Sequence, residues 1–312
     1  MALYTSFIGI DIGKYESVAG VHGNKFTATF TNDRKGFEAF FKKHKSLLKS
    51  AFVVLETTGG YEKLFLENLL KKKIAVHRAN TRQVKAFIHS LGSKGKSDSL
   101  DAVALARYGY ERHDRLPLYQ PLDKTLITLQ ALAQRRLELN QMLVVEKNRA
   151  QAPIINAFVK QQCSQHIEFI QNQLTQVTQA IEQGIEQIPA LQKKRKTLEE
   201  IPGVGKIISL ELAILLPELG HLNRRQIASL VGLAPHPNES GTKIGYRRTK
   251  GGRQEVRNIL FMAGMSAAHS QSKLGDKYRM LTNKGKKKMI ALVAIMRNII
   301  VIANAKTNPS CV

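Results

Sequence analysis

The sequence predicts an α/β sheet layered with helices at the amino terminus, then a helical arm, then a mostly helical basic segment. Three observations predict it. Strand-length apolar runs alternate with helix-length segments up to about residue 115, a three-four apolar spacing follows, and glycine turns with clustered Lys and Arg occupy the region beyond residue 200. The expected domains are 1–115, 116–200 and 201–312, and the chain is long enough to bury more than one core.

Phe7 to Ile12 is a continuous apolar run, the pattern of a buried strand. Ser17 to Val21 and Lys25 to Thr31 follow as strands joined at the turn signal Gly23-Asn24, which makes a meander. Gly36 to Lys43 reads as a helix, Phe52 to Glu56 as a strand, Tyr61 to Leu70 as a helix and Ile74 to Arg78 as a strand. A helix over Ser97 to Tyr108 closes this segment. Past Pro117 and Pro121 the chain becomes Gln-rich and helical. Leu129, Leu132, Leu139 and Leu143 precede Pro153, and Ile167, Ile170, Leu174, Val177, Ile181 and Ile188 keep the three-four alternation of a heptad seam, with Gly184 at one expected apolar position. The pattern predicts a coiled-coil connector, as a helical hairpin or between chains; a seam buried inside one chain has the same signature. An apolar helix to Leu216 and helices over Glu255 to Ser270 and Lys286 to Ala303 complete the chain.

The charge is far from balanced: 48 Lys plus Arg against 24 Asp plus Glu leave a formal net charge of +24. Such a chain seeks a polyanion, either nucleic acid or an anionic membrane surface. The most apolar run, Met289 to Ile302, falls short of the roughly 20 residues of a membrane span and contains Arg297 and Asn298. Met1 to Ile12 has neither a basic leader nor a cleavage site, so the expectation is a soluble, cytoplasmic protein with no membrane partner. Cys163 and Cys311 are the only cysteines and no two histidines share metal-ligand spacing, which excludes a disulfide framework and a zinc site. A catalytic metal would then rest on carboxylates and be a hard ion, Mg2+ or Mn2+. Aromatic residues are 6% of the chain and Trp is absent, so base stacking does not dominate recognition.

Four acids stand where chemistry collects. Asp11 ends the first strand between Gly9 and Gly13, and Glu56 closes the run Phe52-Val53-Val54-Leu55. Asp98 and Asp101, three residues apart at the head of a helix, share one face. Carboxylates gathered this way repel unless cations neutralise them, the arrangement that two-metal phosphoryl transfer uses. Singly, each has a simpler explanation: Asp98 and Asp101 favour the positive end of a helix, and Asp11 caps a turn.

Three stretches carry a specific resemblance: Phe7-Ile8-Gly9-Ile10-Asp11-Ile12-Gly13-Lys14, Glu56-Thr57-Thr58-Gly59-Gly60-Tyr61 and Lys96-Ser97-Asp98-Ser99-Leu100-Asp101-Ala102. Over nearly its whole length the chain resembles the DEDD transposases of insertion-sequence family 110, kin of the Piv DNA invertases. The resemblance implies a RuvC-like, RNase H-type fold for the amino-terminal domain, with Asp11, Glu56, Asp98 and Asp101 binding the metal ions. Gly-Ile-Asp-Ile-Gly also opens the actin-like kinases, but no second Asp-x-Gly strand follows residue 120. Gly92 to Ser97 resembles a phosphate-binding loop only faintly, since Ser90 stands where that loop needs glycine.

Ile201-Pro202-Gly203-Val204-Gly205-Lys206 has the form of a helix-hairpin-helix turn, in which Gly203 and Gly205 would let backbone N–H groups approach a phosphate and Lys206 adds charge. A tight turn before a core helix has the same form. After Val231-Gly232-Leu233-Ala234-Pro235 comes a polar loop with Ser240-Gly241, then Arg247, Arg248, Lys250, Arg253 and Arg257, a basic set suited to phosphates. Ser before Gly is ordinarily a turn former; by the resemblance, Ser240 is the strand-attacking nucleophile. The resemblance further implies donor and target DNA, a noncoding bridge RNA that supplies specificity, and dimers that assemble as tetramers. The expected function is therefore metal-dependent cleavage and rejoining of DNA by a transposase or site-specific recombinase. The alternatives are a RuvC-like nuclease that does not rejoin, an actin-like ATP-dependent kinase, and an architectural DNA-binding protein, against which the acidic quartet argues.

Overall fold

The amino-terminal sheet starts as a meander. In the computed structural model, β1 (Ser6–Ile12), β2 (Glu16–Val21) and β3 (Thr27–Thr31) pair antiparallel, while β4 (Ala51–Glu56) and β5 (Ala75–Ala79) add in parallel on the other side of β1. The order β3-β2-β1-β4-β5, with helices on both faces, bears out the mixed α/β expectation and is consistent with an RNase H-like core. The structure describes residues 4–308 except 93, 94, 96, 122, 155, 241 and 242, and describes only the backbone of 238–240, 243, 244 and 246. It divides into two units, Met1–Leu122 and Asp123–Val312, the second containing both the helical arm and the basic segment.

In the first unit α1 (Arg34–Lys43), the short α2 (Lys45–Leu48), α3 (Lys63–Lys71), α4 (Thr81–Ser90) and α5 (Asp98–Arg112) surround the sheet. Strand alternation sorts the core. Ile8, Ile10, Val53 and Leu55 meet Phe37, Phe40 and Phe41 of α1 and Phe65 of α3 on one face, whereas Phe52 and Val54 meet Val84 and Phe87 of α4 and Leu105 and Tyr108 of α5 on the other. The α4 helix was not expected, because it buries only Val84 and Phe87 in an otherwise polar run.

Glycine sets how closely α5 lies on the sheet. A Cβ on Gly9 would fall 2.0 Å from the Ala102 carbonyl oxygen and 2.3 Å from the Ala106 nitrogen, and one on Gly20 would fall 2.8 Å from the Val103 nitrogen. The helix backbone therefore rests directly on β1 and β2.

The second unit begins with α6 (Lys124–Ala150) and α7 (Ala157–Glu186), an antiparallel hairpin within one chain. Gly184, the gap in the apolar seam, makes room for Leu129, whose Cδ2 would lie 2.6 Å from a Cβ there. Arg136 donates to Thr178 across the hairpin and pairs with the buried Glu211 at 2.5 Å, tying the arm to the helices that follow. Burial raises the proton affinity of Glu211 and Arg136 opposes it. Those helices are α8 (Pro189–Glu199), α9 (Lys206–Leu215) and α10 (Arg224–Leu230); after a hairpin of β6 (Pro235–Ser240) and β7 (Lys243–Thr249) come α11 (Gln254–Ala268), α12 (Lys273–Asn283) and α13 (Lys288–Lys306).

The stretch after Pro235 is a β-hairpin rather than a polar loop; Pro237, which lacks an N–H, falls in the register shift between His236 and Asn238 and so does not interrupt the ladder. The apolar carboxy-terminal run is also not too short to span a membrane, since α13 has 19 residues and by length and composition alone would suffice. In the fold, however, Leu292, Ile295, Ile299 and Ala303 enter the core of the unit, and the buried Asn304 accepts from Gly220 N–H at 3.0 Å and donates to the Leu222 carbonyl at 2.6 Å.

The Gly9 contact yields a test. Gly9→Ala is expected to destabilise the chain by about 3 kcal/mol or more, because the new methyl meets helix backbone that has no rotamer to change. Gly205→Ala, at φ −85° with open space around it, is expected to cost under about 1 kcal/mol. Urea denaturation of the two variants beside wild type measures both.

Candidate active site

Parallel pairing sets Ile10 beside Leu55, so the next residues, Asp11 and Glu56, end adjacent strands side by side. Asp11 shares its strand face with Gly9, and Glu56 shares its face with Val54; both faces turn toward α5. Asp101 lies in the first turn of α5, which Ser97 caps by accepting the Leu100 N–H at 3.3 Å. Asp11, Glu56 and Asp101 are all partly buried.

Their charges interact. Burial raises the proton affinity of Glu56, the Asp11 carboxylate raises it further and Asp101 adds to it, while Lys85 and a hydrogen bond from Thr81 oppose. Three of the four predicted acids therefore share one field. Asp98, at the exposed head of α5, is not among the strongest influences on Glu56.

The loop after Glu56 is held by residues that the sequence reading missed. Glu62 is fully buried and accepts from Thr58 N–H at 3.2 Å, Thr58 Oγ1 at 3.1 Å and Gly60 N–H at 2.9 Å, while the Arg78 guanidinium pairs with it at 2.5 Å. Burial alone would raise the Glu62 pKa, but these hydrogen bonds and Arg78 hold it below the usual glutamate range. Asn32 donates to the carbonyls of Gly13 at 2.9 Å and Tyr61 at 3.3 Å, and Thr81 donates to that of Thr57 at 3.2 Å. The available signal was an acid just past a Gly-Gly turn, six residues after Glu56.

Oxygen donors of this kind suit a hard divalent cation, and the repulsion felt by Glu56 is what such a cation relieves. Among the described residues, no three acidic, histidine or cysteine side chains stand close enough to enclose a metal ion. Segment 93–96, which leads into α5 and the Lys96 of its motif, includes residues outside those described.

In the second unit the predicted residues separate by role. Gly203, at φ +88°, is required by packing: a Cβ there would lie 2.3 Å from the Ala263 carbonyl oxygen of α11. Gly205 caps α9 without a side chain and faces open space, with Lys206 exposed beside it. The two ends of the β-hairpin are clasped by glycines, since a Cβ on Gly252 at φ +73° would come 2.1 Å from Gly232 N, and Arg257 donates to the Gly251 carbonyl at 2.8 Å. Ser240 ends β6 and pairs through its backbone with Lys243; its side chain, like Gly241, lies outside the described parts. Arg247, Arg248 and Lys250 are exposed. Arg253 is engaged within the unit, donating to Glu218 at 2.9 and 2.5 Å and to the Leu215 carbonyl at 3.0 Å.

The raised proton affinity of Glu56 fixes a pH dependence. A folded state that holds the proton more tightly than the unfolded chain is penalised as pH rises from the ordinary glutamate value of 4.5 through the raised folded value, and carries no such penalty below both. Glu56→Gln is therefore expected to be more stable than wild type near pH 7 in metal-free buffer, and to lose that advantage near pH 4. Denaturation midpoints across this range check it.

Residues 8–158 match a DEDD transposase family of the IS110 type, and residues 195–279 match the "Transposase IS116/IS110/IS902 family". The pilin gene-inverting proteins of Moraxella lacunata and Moraxella bovis are each similar at 29% identity over 309 residues, spanning 96% of this chain and 95% of their own length. A protein of insertion element IS116 from Streptomyces clavuligerus is 26% identical over 106 residues, 33% of this chain and 27% of its own length. With both family regions present in order and the Moraxella similarity running end to end, this chain belongs to the IS110/IS116 family of DEDD transposases.

Proposed function

We propose that this transposase is a metal-dependent, site-specific DNA recombinase that cuts strands and rejoins them through Ser240. The observation that carries the reading is the shared field of Asp11 and Glu56, at adjacent strand ends, and Asp101, in the first turn of α5, in a chain of this family. Asp98, one helical turn before Asp101, completes the acid set. Bound there, Mg2+ or Mn2+ supplies Lewis-acid polarisation of the scissile phosphate. The chain's own part is to orient these acids through the Glu62-held loop and to present a nucleophile.

Ser240 stands at the end of β6, on a hairpin whose base is fixed by Gly232 and Gly252. In the proposed step its Oγ attacks phosphorus. The Oγ–P bond forms as the P–O bond to the departing strand breaks; the hydroxyl loses its proton and the departing deoxyribose oxygen gains one. Arg247, Arg248 and Lys250 steady the charge that develops. The covalent link conserves the phosphodiester for rejoining, and the Moraxella relatives' names point to inversion of a DNA segment as one such event.

Two further parts of the reading rest on other observations. The family resemblance and the scarcity of rings for reading bases support guidance by a noncoding RNA. Large apolar side chains exposed around the closed end of the α6–α7 hairpin, among them Val145, Ile154 and Phe158, support a homo-oligomer. Solution mass with and without nucleic acid tests the oligomer, and monomer under both conditions contradicts it.

Asp101→Asn is expected to lower metal-dependent strand cleavage by at least about a hundredfold while leaving DNA affinity within about twofold, because the acids hold the cation and the Lys and Arg surfaces hold phosphates. Cleavage and anisotropy assays on the same preparation separate the two effects. On denaturing gels of labelled DNA, wild type is expected to trap a protein-linked strand and Ser240→Ala none; equal recombination by both proteins removes Ser240 from the chemistry.

A further inference from the structure

The first unit carries a second charged feature at the opposite end of its sheet. Lys42, Lys43, Lys45 and Lys49, from the α1–α2 region, converge with Lys72 and Lys73, from the turn between α3 and β5, on a groove of about 1020 Å³. All six lysines are exposed, and the one carboxylate lining the groove is Glu38. Two segments separated in sequence thus build one basic wall, which a simple run of solvated lysines does not do. The groove lies just before β4 and β5, whereas Glu56 lies at the end of β4. At about 3.3 Å per residue, the six residues of that strand put roughly 17–20 Å between them.

One backbone conformation marks the groove as more than a surface. Lys73 has φ +56° and is the only non-glycine residue with positive φ among those described. The turn is closed by Lys73 N–H to the Leu70 carbonyl at 2.9 Å and Ile74 N–H to the Leu69 carbonyl at 3.0 Å. This is a helix C-terminal position that glycine or asparagine occupies without strain, yet a lysine is held in it. The groove also offers no free ring for a base: Phe41 is buried, with the Lys72 ammonium 4.9 Å over its face. Point charges without stacking surfaces read a phosphate backbone and not its bases.

We propose that this groove holds the backbone of duplex DNA flanking the cut, some five or six base pairs from the reacting phosphate at about 3.4 Å per pair. The proposal rests on the recombinase reading above, because that reading places DNA at the acid end of the sheet.

The test uses the full chain in EDTA, so that cleavage plays no part, and fluorescence anisotropy with three probes: a 30-base-pair duplex, a 10-base-pair duplex and an RNA hairpin. The triple variant Lys42→Gln, Lys45→Gln, Lys72→Gln is expected to bind the long duplex at least about tenfold more weakly. Its salt dependence should be shallower by about three in log–log slope, and the short duplex and the RNA should change little. Lys73→Asn separates binding from folding: its melting temperature is expected to rise by a few degrees while long-duplex affinity falls by about threefold, whereas a lysine that merely fills the turn gives the first change without the second. Unchanged long-duplex binding in both variants, or a loss confined to the RNA hairpin, overturns the groove and leaves the recombinase reading standing. Absence of duplex binding by wild type overturns both.

Discussion

The amino-terminal acid cluster depends on how closely one helix approaches one sheet. Asp11 and Glu56 are neighbours by strand pairing alone, but Asp101 belongs to α5 and adds its charge at Glu56 only because Gly9 and Gly20 let the helix backbone rest on β1 and β2. A side chain at either glycine would lift the helix, and with it the third acid. The Glu62–Arg78 pair and the Asn32 hydrogen bonds then hold the loop that leaves Glu56, so that the site is framed by contacts rather than by a flexible segment. The cost of this design is visible in Glu56, whose proton affinity is raised first by burial and then by the neighbouring Asp11 and Asp101 carboxylates.

Much of this was legible in the sequence, for physical reasons. The apolar run to Asp11 and the run to Glu56 announced two buried strands because both faces of a central strand are covered. The head of α5 announced itself through Ser97 and the acids behind it. What stayed illegible depends on tertiary contacts. No local pattern reveals that Gly9 faces a helix carbonyl, that Glu62 finds Arg78 across a loop, or that Arg253 pairs with Glu218. The α4 helix was missed because only two of its residues are buried, and the β6–β7 hairpin because its polar and basic residues carry no apolar alternation of a buried strand.

In the second unit the same glycine logic recurs with different consequences. Gly184 accommodates Leu129 and so brings the α6–α7 arm together, Gly203 lets the turn before α9 meet α11, and Gly232 and Gly252 clasp the hairpin that carries Ser240. Of the two glycines singled out before α9, one is thus accounted for by packing, while Gly205 leaves the helix N-terminus open beside Lys206. Basic residues that the fold does not consume, including Arg248, Lys250 and the lysines of the first unit's groove, account for the strong positive charge better than any single motif does.

Asp11, Glu56 and Asp101 are proposed to take up a divalent cation together. Titration of the metal-free chain with Mn2+, followed by electron paramagnetic resonance of the free ion, tests it most directly. Saturable binding near neutral pH that weakens at least about tenfold in Asp101→Asn is the predicted result. Absence of saturable binding, or equal binding by both proteins, would contradict it.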